Sequence, residues 1–77
     1  MKRDKNKYVK TFKVLGQNIR NIRKNKDLSQ EELAFMVSSA RNYIGCIERA
    51  EKFPSIIFIL DIASALKCNA HDLFENV

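Results

Sequence analysis

The chain has 77 residues, enough for one compact core, and a domain of this size buries only about 60% of its unfolded surface. Hydrophobic side chains make up 45% of it and no tract is repetitive or wholly polar, which argues against disorder as the main state. Fourteen Lys and Arg against nine Asp and Glu leave a net charge of +5, a surplus that attracts polyanions, while the longest apolar run, Ile56 to Leu60, is too short to span a membrane; a cytoplasmic protein is expected.

Met1 to Lys7 are almost wholly polar and carry Lys2, Arg3, Lys5 and Lys7. Residues 1–7 therefore read as a flexible basic arm and residues 8–77 as the folded domain. Phe12, Leu15, Ile19 and Ile22 recur at spacings of three and four, one apolar stripe on a helix ending near Asn25. Arg20, Arg23, Lys24 and Lys26 crowd its C-terminal end, where cations suit the helix dipole.

Ser29, three residues before Glu32, is a capping box that starts a second helix at Gln30, with Leu33, Ala34 and Val37 on its inner face. Ser38 and Ser39 end it after about two turns, because short hydroxyl side chains compete for backbone hydrogen bonds. Arg41 to Arg49 puts Ile44 and Ile47 on one face and leaves the rest polar, a short helix with little to bury. Phe53-Pro54 breaks the pattern, Ser55 caps a fourth helix with the stripe Ile56, Ile59, Ala63 and Leu66, and Asn69 three residues before Asp72 opens a last helix holding Leu73 and Phe74 on the core. The expected fold is all-α, with five helices.

Catalytic and metal chemistry find no support. Cys46 and Cys68 fall in separate helical patterns with no CxxC spacing, and His71 is the only histidine, so free thiols, no metal and no cofactor are expected. His71 stands beside Asp72 without a nucleophile pattern, a glycine loop or paired carboxylates, which argues against an enzyme.

Gln30 to Arg49 is instead two short helices joined by a tight turn, a rigid corner whose second helix fits a major groove. Small Ala34 allows close approach, and Val37, Ile44 and Ile47 lock the corner. The stretch LSQEELAFMVSSARNYIGCIERAEKFPS resembles the Cro and phage-repressor type of helix-turn-helix regulator. The most specific elements are Leu28 to Ala34, Tyr43-Ile44, Ile47-Glu48-Arg49, Pro54-Ser55 and Ala63 to Leu66, and the likeness runs from about Phe12 to Phe74.

That resemblance implies a compact five-helix, lambda-repressor-like domain that binds a palindromic double-stranded DNA operator as a dimer, with the helix at about Ala40 to Glu48 in the major groove. It places Arg41, Asn42 and Cys46 at base-reading positions and Gln30, Tyr43, Arg49 and Lys52 at phosphate-contacting ones. Arg41 is suited to guanine, whose O6 and N7 a guanidinium grips together, and Asn42 to adenine. Arg23 and Glu48 match a buried ion pair tying the first helix to the reading helix. Three departures stand out: Ser38 in a turn position usually held by Gly, Ala40 where a capping Ser or Thr is usual, which hands capping to Ser39, and Ala50 and Phe53 where Gly and a polar residue are usual.

Ile57 and Phe58 lie outside the apolar stripe of the fourth helix and are expected to be exposed and to build, with the last helix, a homodimer interface. With 77 residues there is no room for a separate sensing domain, so a Cro-like or controller-type regulator, such as those encoded with restriction-modification systems, is the expectation. Two further partners follow from surface patches. Glu31, Glu32 and Phe35 could meet RNA polymerase in an activator, and in an antitoxin-like alternative the Ile57 and Phe58 surface would bind a toxin, DNA binding being secondary.

Overall fold

Capping side chains mark where three of the helices begin, and a left-handed turn marks where four of them end. The computed structural model describes residues 7–77 and gives five helices: α1 (Val9–Asn25), α2 (Gln30–Met36), α3 (Arg41–Glu48), α4 (Ile56–Ala65) and α5 (Ala70–Leu73). The flexible arm expected at residues 1–7 lies outside the described residues except for Lys7, whose ammonium sits 5.4 Å from the centre of the Tyr8 ring.

The Ser29 capping box is present in both halves. The Glu32 N–H donates to Ser29 Oγ at 2.9 Å, and the Ser29 N–H donates back to the Glu32 carboxylate at 2.9 Å. That second bond holds the Glu32 carboxyl below its ordinary range. Ser55 Oγ accepts from the Phe58 N–H at 3.2 Å, and the Asn69 N–H donates to the Asp72 carboxylate at 3.0 Å, so α4 and α5 start where their caps stand.

The first four helices end alike. After α1, α2, α3 and α4 the chain passes through Asp27, Ser38, Ala50 and Lys67, with φ of 58°, 54°, 60° and 55°. The next N–H then reaches back five residues, as Leu28 to the Arg23 carbonyl, Ser39 to Ala34, Glu51 to Cys46 and Cys68 to Ala63, at 2.7–3.1 Å. Glycine is the usual occupant of that left-handed position, because it has no Cβ to strike the following carbonyl. Here none of the four is glycine. Both glycines are spent inside helices, where side-chain volume is the constraint.

Gly16 shows that constraint. A Cβ on it would lie 2.5 Å from the Ile47 carbonyl oxygen and 2.6 Å from that of Glu48, so α1 crosses the C-terminal turn of α3 at backbone contact. The core is a single cluster: Leu15 and Ile19 from α1, Leu33 and Ala34 from α2, Ile44 and Ile47 from α3, Ile59, Ile62 and Ala63 from α4 with Leu66, and Leu73 from α5. The Asn18 side-chain amide donates to the Leu73 and Glu75 carbonyls at 2.9 and 2.8 Å, fastening the chain end to α1.

Two expected core residues are on the surface. Ile56 is 61% exposed, and Ile62, fully buried, takes its place in the stripe. Helical side chains lean toward the N-terminus, so the first residue of α4 leans past the edge of the core. Phe74 is 37% exposed: α5 is a single turn that directs Leu73 inward, and its neighbour then points away.

Candidate nucleic-acid interface

The corner is built as its residues require. Ala34, 2% exposed, lets α2 and α3 meet, Ser38 supplies the left-handed turn, and the Ser39 N–H closes α2 on the Ala34 carbonyl at 2.8 Å. Expectation fails on one point. Ser39 does not cap α3; Ala40 holds the cap position with extended backbone and no side-chain bond, and the helix starts at Arg41. Ser39 is already committed to ending α2.

At about 100° per residue, α3 turns Tyr43, Ile44, Ile47 and Glu48 toward the domain and Arg41, Asn42 and Cys46 away from it. Arg41 and Asn42 are exposed and Cys46 is half-buried. The three expected base readers therefore share the outward side of one exposed helix, the arrangement a groove-reading helix needs.

Beneath them is the expected ion pair. Arg23 Nε donates to Glu48 at 2.7 Å and Nη2 at 3.1 Å, with side chains 7% and 2% exposed. Arg23 Nη1 also donates to the Leu28 carbonyl at 2.7 Å, so one guanidinium joins α1, the connection into α2 and the end of α3. No buried side-chain polar atom among the described residues lacks a partner. The pair is a clamp rather than a contact surface, since both side chains are buried.

The four expected phosphate contacts divide. Lys52 is exposed in the loop after α3. Gln30, half-buried at the start of α2, donates its amide to Glu48 at 3.1 Å and so joins the clamp. Tyr43 is half-buried with its ring edge-on to Phe58, centroids 5.2 Å apart. Arg49 is paired with Glu51, Nε to Oε2 at 2.9 Å and Nη2 to Oε1 at 3.2 Å, and its Nη2 lies 3.9 Å from Cys46 Sγ. The pairing with Glu51 raises the Arg49 guanidinium and holds the Glu51 carboxyl below its usual range, the side-chain hydrogen bond between them being the largest cause in each. Sequence reading passed over Glu51, Gly45 and Gly16. An acid three residues beyond a helix end reads as loop, until the left-handed Ala50 folds it back.

Phe58 departs from its expected exposure. It packs against Tyr43 and the core edge, while Ile57 is 70% exposed. The apolar surface of α4 is instead Ile56, Ile57 and Leu60, at 61%, 70% and 50% exposure. Both cysteines are free and half-buried, and burial pushes the Cys68 thiol up.

Residues 19–73 match the family model described as helix-turn-helix, which covers the corner and most of the core around it. The chain belongs to the helix-turn-helix family. It is 40% identical over 63 residues to the control protein C.BamHI of Bacillus amyloliquefaciens, covering 80% of this chain and 78% of that one. Its fold superposes with a TM-score of 0.80 on the restriction-modification controller protein C.AhdI from Aeromonas hydrophila, at 40% identity, over 82% of this chain and 96% of that one. The P22 c2 repressor, solved in complex with a synthetic operator, gives a TM-score of 0.74 at 30% identity, over 82% and 96% of the two chains. The expected all-α, five-helix, repressor-like fold is therefore the fold of the chain. No helix among the described residues is long and apolar enough to cross a membrane.

Proposed function

We propose that this DNA-binding transcriptional regulator acts in the cytoplasm and reads a palindromic operator as a homodimer, with α3 in the major groove. The observation that carries the reading is the outward side of α3. Arg41 and Asn42, exposed, and Cys46, half-buried, stand on the outward side of a helix tied to α1 by the buried Arg23–Glu48 pair, which holds the readers on a rigid element. The likeness to an operator-bound repressor and to controller proteins supports the same role. Arg41 grips guanine and Asn42 adenine, Cys46 touches an adjacent base, and Tyr43, Gln30 and Lys52 lie against the phosphates.

Two-fold reading requires two copies with their α3 helices about 34 Å apart. Ile57 with Ile56 and Leu60 is the apolar surface on α4 for that contact. Ile57→Glu is the cleaner test than a change at Phe58, because Phe58 also supports Tyr43. Sedimentation of Ile57→Glu is expected to give a monomer whose operator affinity falls steeply; a variant that stays dimeric removes the α4 assignment. Phe35, 86% exposed beside Glu31 and Glu32, supports a contact with RNA polymerase when the dimer is on DNA. A toxin covering the Ile57 surface is the competing occupant, and it predicts a stable one-to-one complex that blocks dimer formation.

A further inference from the structure

Glu51 has no place in the reading above, yet it is in contact with the residue that ends the reading helix. Asn42, Cys46 and Arg49 follow one another at spacings of four and three, a single outward row, so Arg49 continues the line of base readers and does not simply trail into the loop. The guanidinium lies back along the helix, with Nη2 at 3.9 Å from Cys46 Sγ. Gly45 is the floor beneath it: a Cβ there would come 3.0 Å from Arg49 Nη1 and 3.6 Å from the Gln30 amide nitrogen. A mid-helix glycine is otherwise a poor choice, and here it leaves the space that the guanidinium fills.

Glu51 grips Nε and Nη2 of Arg49 side-on. Two consequences follow. The pair is neutral, so Arg49 adds little to the attraction of phosphate at large. The guanidinium is also biased toward one orientation, with Nη1 outside the grip and both side chains more than half exposed, whereas a free arginine would swing to the nearest phosphate. A carboxylate on a DNA-facing surface weakens nonspecific binding, and it is tolerable where it sharpens discrimination.

We propose that Glu51, with Gly45, is a specificity-determining positioning residue: it fixes Arg49 on the reading side of α3 as a directed donor and withholds its charge from nonspecific phosphate contact. The inference rests on the operator reading above. The test compares wild type, Glu51→Gln and Gly45→Ala for binding to a selected operator and to a scrambled duplex of equal length and composition, across a salt series.

Glu51→Gln is expected to bind the scrambled duplex about tenfold tighter at low salt, with a salt slope steeper by about one unit. Operator affinity rises less, so the ratio of the two falls at least about fivefold. Gly45→Ala is expected to lower the ratio similarly while raising Tm, since the helix gains a better former as the arginine is displaced. Equal gains on both duplexes would make Glu51 a simple electrostatic brake and overturn the proposal. Unchanged affinity for both duplexes in both variants would make the pair an idle surface contact and overturn it too. A wild type that does not distinguish the duplexes would instead bring down the operator reading, and this inference with it.

Discussion

Removal of Arg23 is the sharpest stability test of the clamp. In Arg23→Ala, Glu48, with a side chain 2% exposed, loses bonds of 2.7 and 3.1 Å and keeps only the Gln30 amide, while the Leu28 carbonyl loses its 2.7 Å donor. An uncompensated buried charge costs about 3–5 kcal/mol. At roughly 0.05–0.15 kcal/mol per residue, a chain of this length has about 4–12 kcal/mol in all, so the loss is a large share of it. Urea unfolding should show a midpoint lowered by about 2–5 M at an m-value near 1–1.5 kcal/mol/M. Removing both partners tells charge from packing. Arg23→Met with Glu48→Leu leaves no unpaired charge and should recover most of the loss, because apolar isosteres of a buried pair are often neutral. Operator sequence preference, measured on the folded fraction, should not change in either variant. An Arg23→Ala protein within about 1 kcal/mol of wild type would refute the clamp, since surface pairs carry no more than that.

Gly16→Ala should destabilise despite its better helix propensity, because the new methyl meets backbone carbonyls at 2.5 and 2.6 Å that cannot turn aside; calorimetry should show Tm lower by roughly 10 °C or more. Ala50→Gly should do the reverse, relieving a left-handed alanine at φ 60° and raising Tm by roughly 4–8 °C. Operator duplex should protect Cys46 from iodoacetamide while leaving Cys68 unaffected; Cys68 should react slowly throughout because burial raises its thiol. Equal labelling of Cys46 with and without operator would take it off the reading surface.

Most of the fold was legible because its signals were local. The Ser29–Glu32 box, the Ser55 cap and the Asn69–Asp72 spacing each set a helix start, and the periodic stripes of α1 and α3 gave their inner sides. The stripe of α4 misled: four of its first five residues are isoleucine or leucine and the other is phenylalanine, so composition could not tell Ile56 from Ile62. Only packing against the other helices decides which is buried. The ends of α1 and α2 were legible too, but the left-handed turns at Asp27 and Lys67 were not, since neither residue carries a glycine signal.

The site divided along the same line. Arg41, Asn42 and the Arg23–Glu48 pair were readable because helix period alone puts two outward and the family motif pairs the others. Gln30 joining Glu48, Phe58 turning to Tyr43, and Glu51 folding back on Arg49 are meetings between elements. No spacing in the sequence encodes them.

The central claim, that α3 reads bases through Arg41, is tested most directly by selecting random duplex DNA with the purified protein and with Arg41→Ala. A palindromic motif for wild type, with one guanine per half-site whose preference drops by about 1–3 kcal/mol in the variant, is the predicted result. Failure of the wild type to enrich any motif, or an unaltered motif in Arg41→Ala, would contradict it.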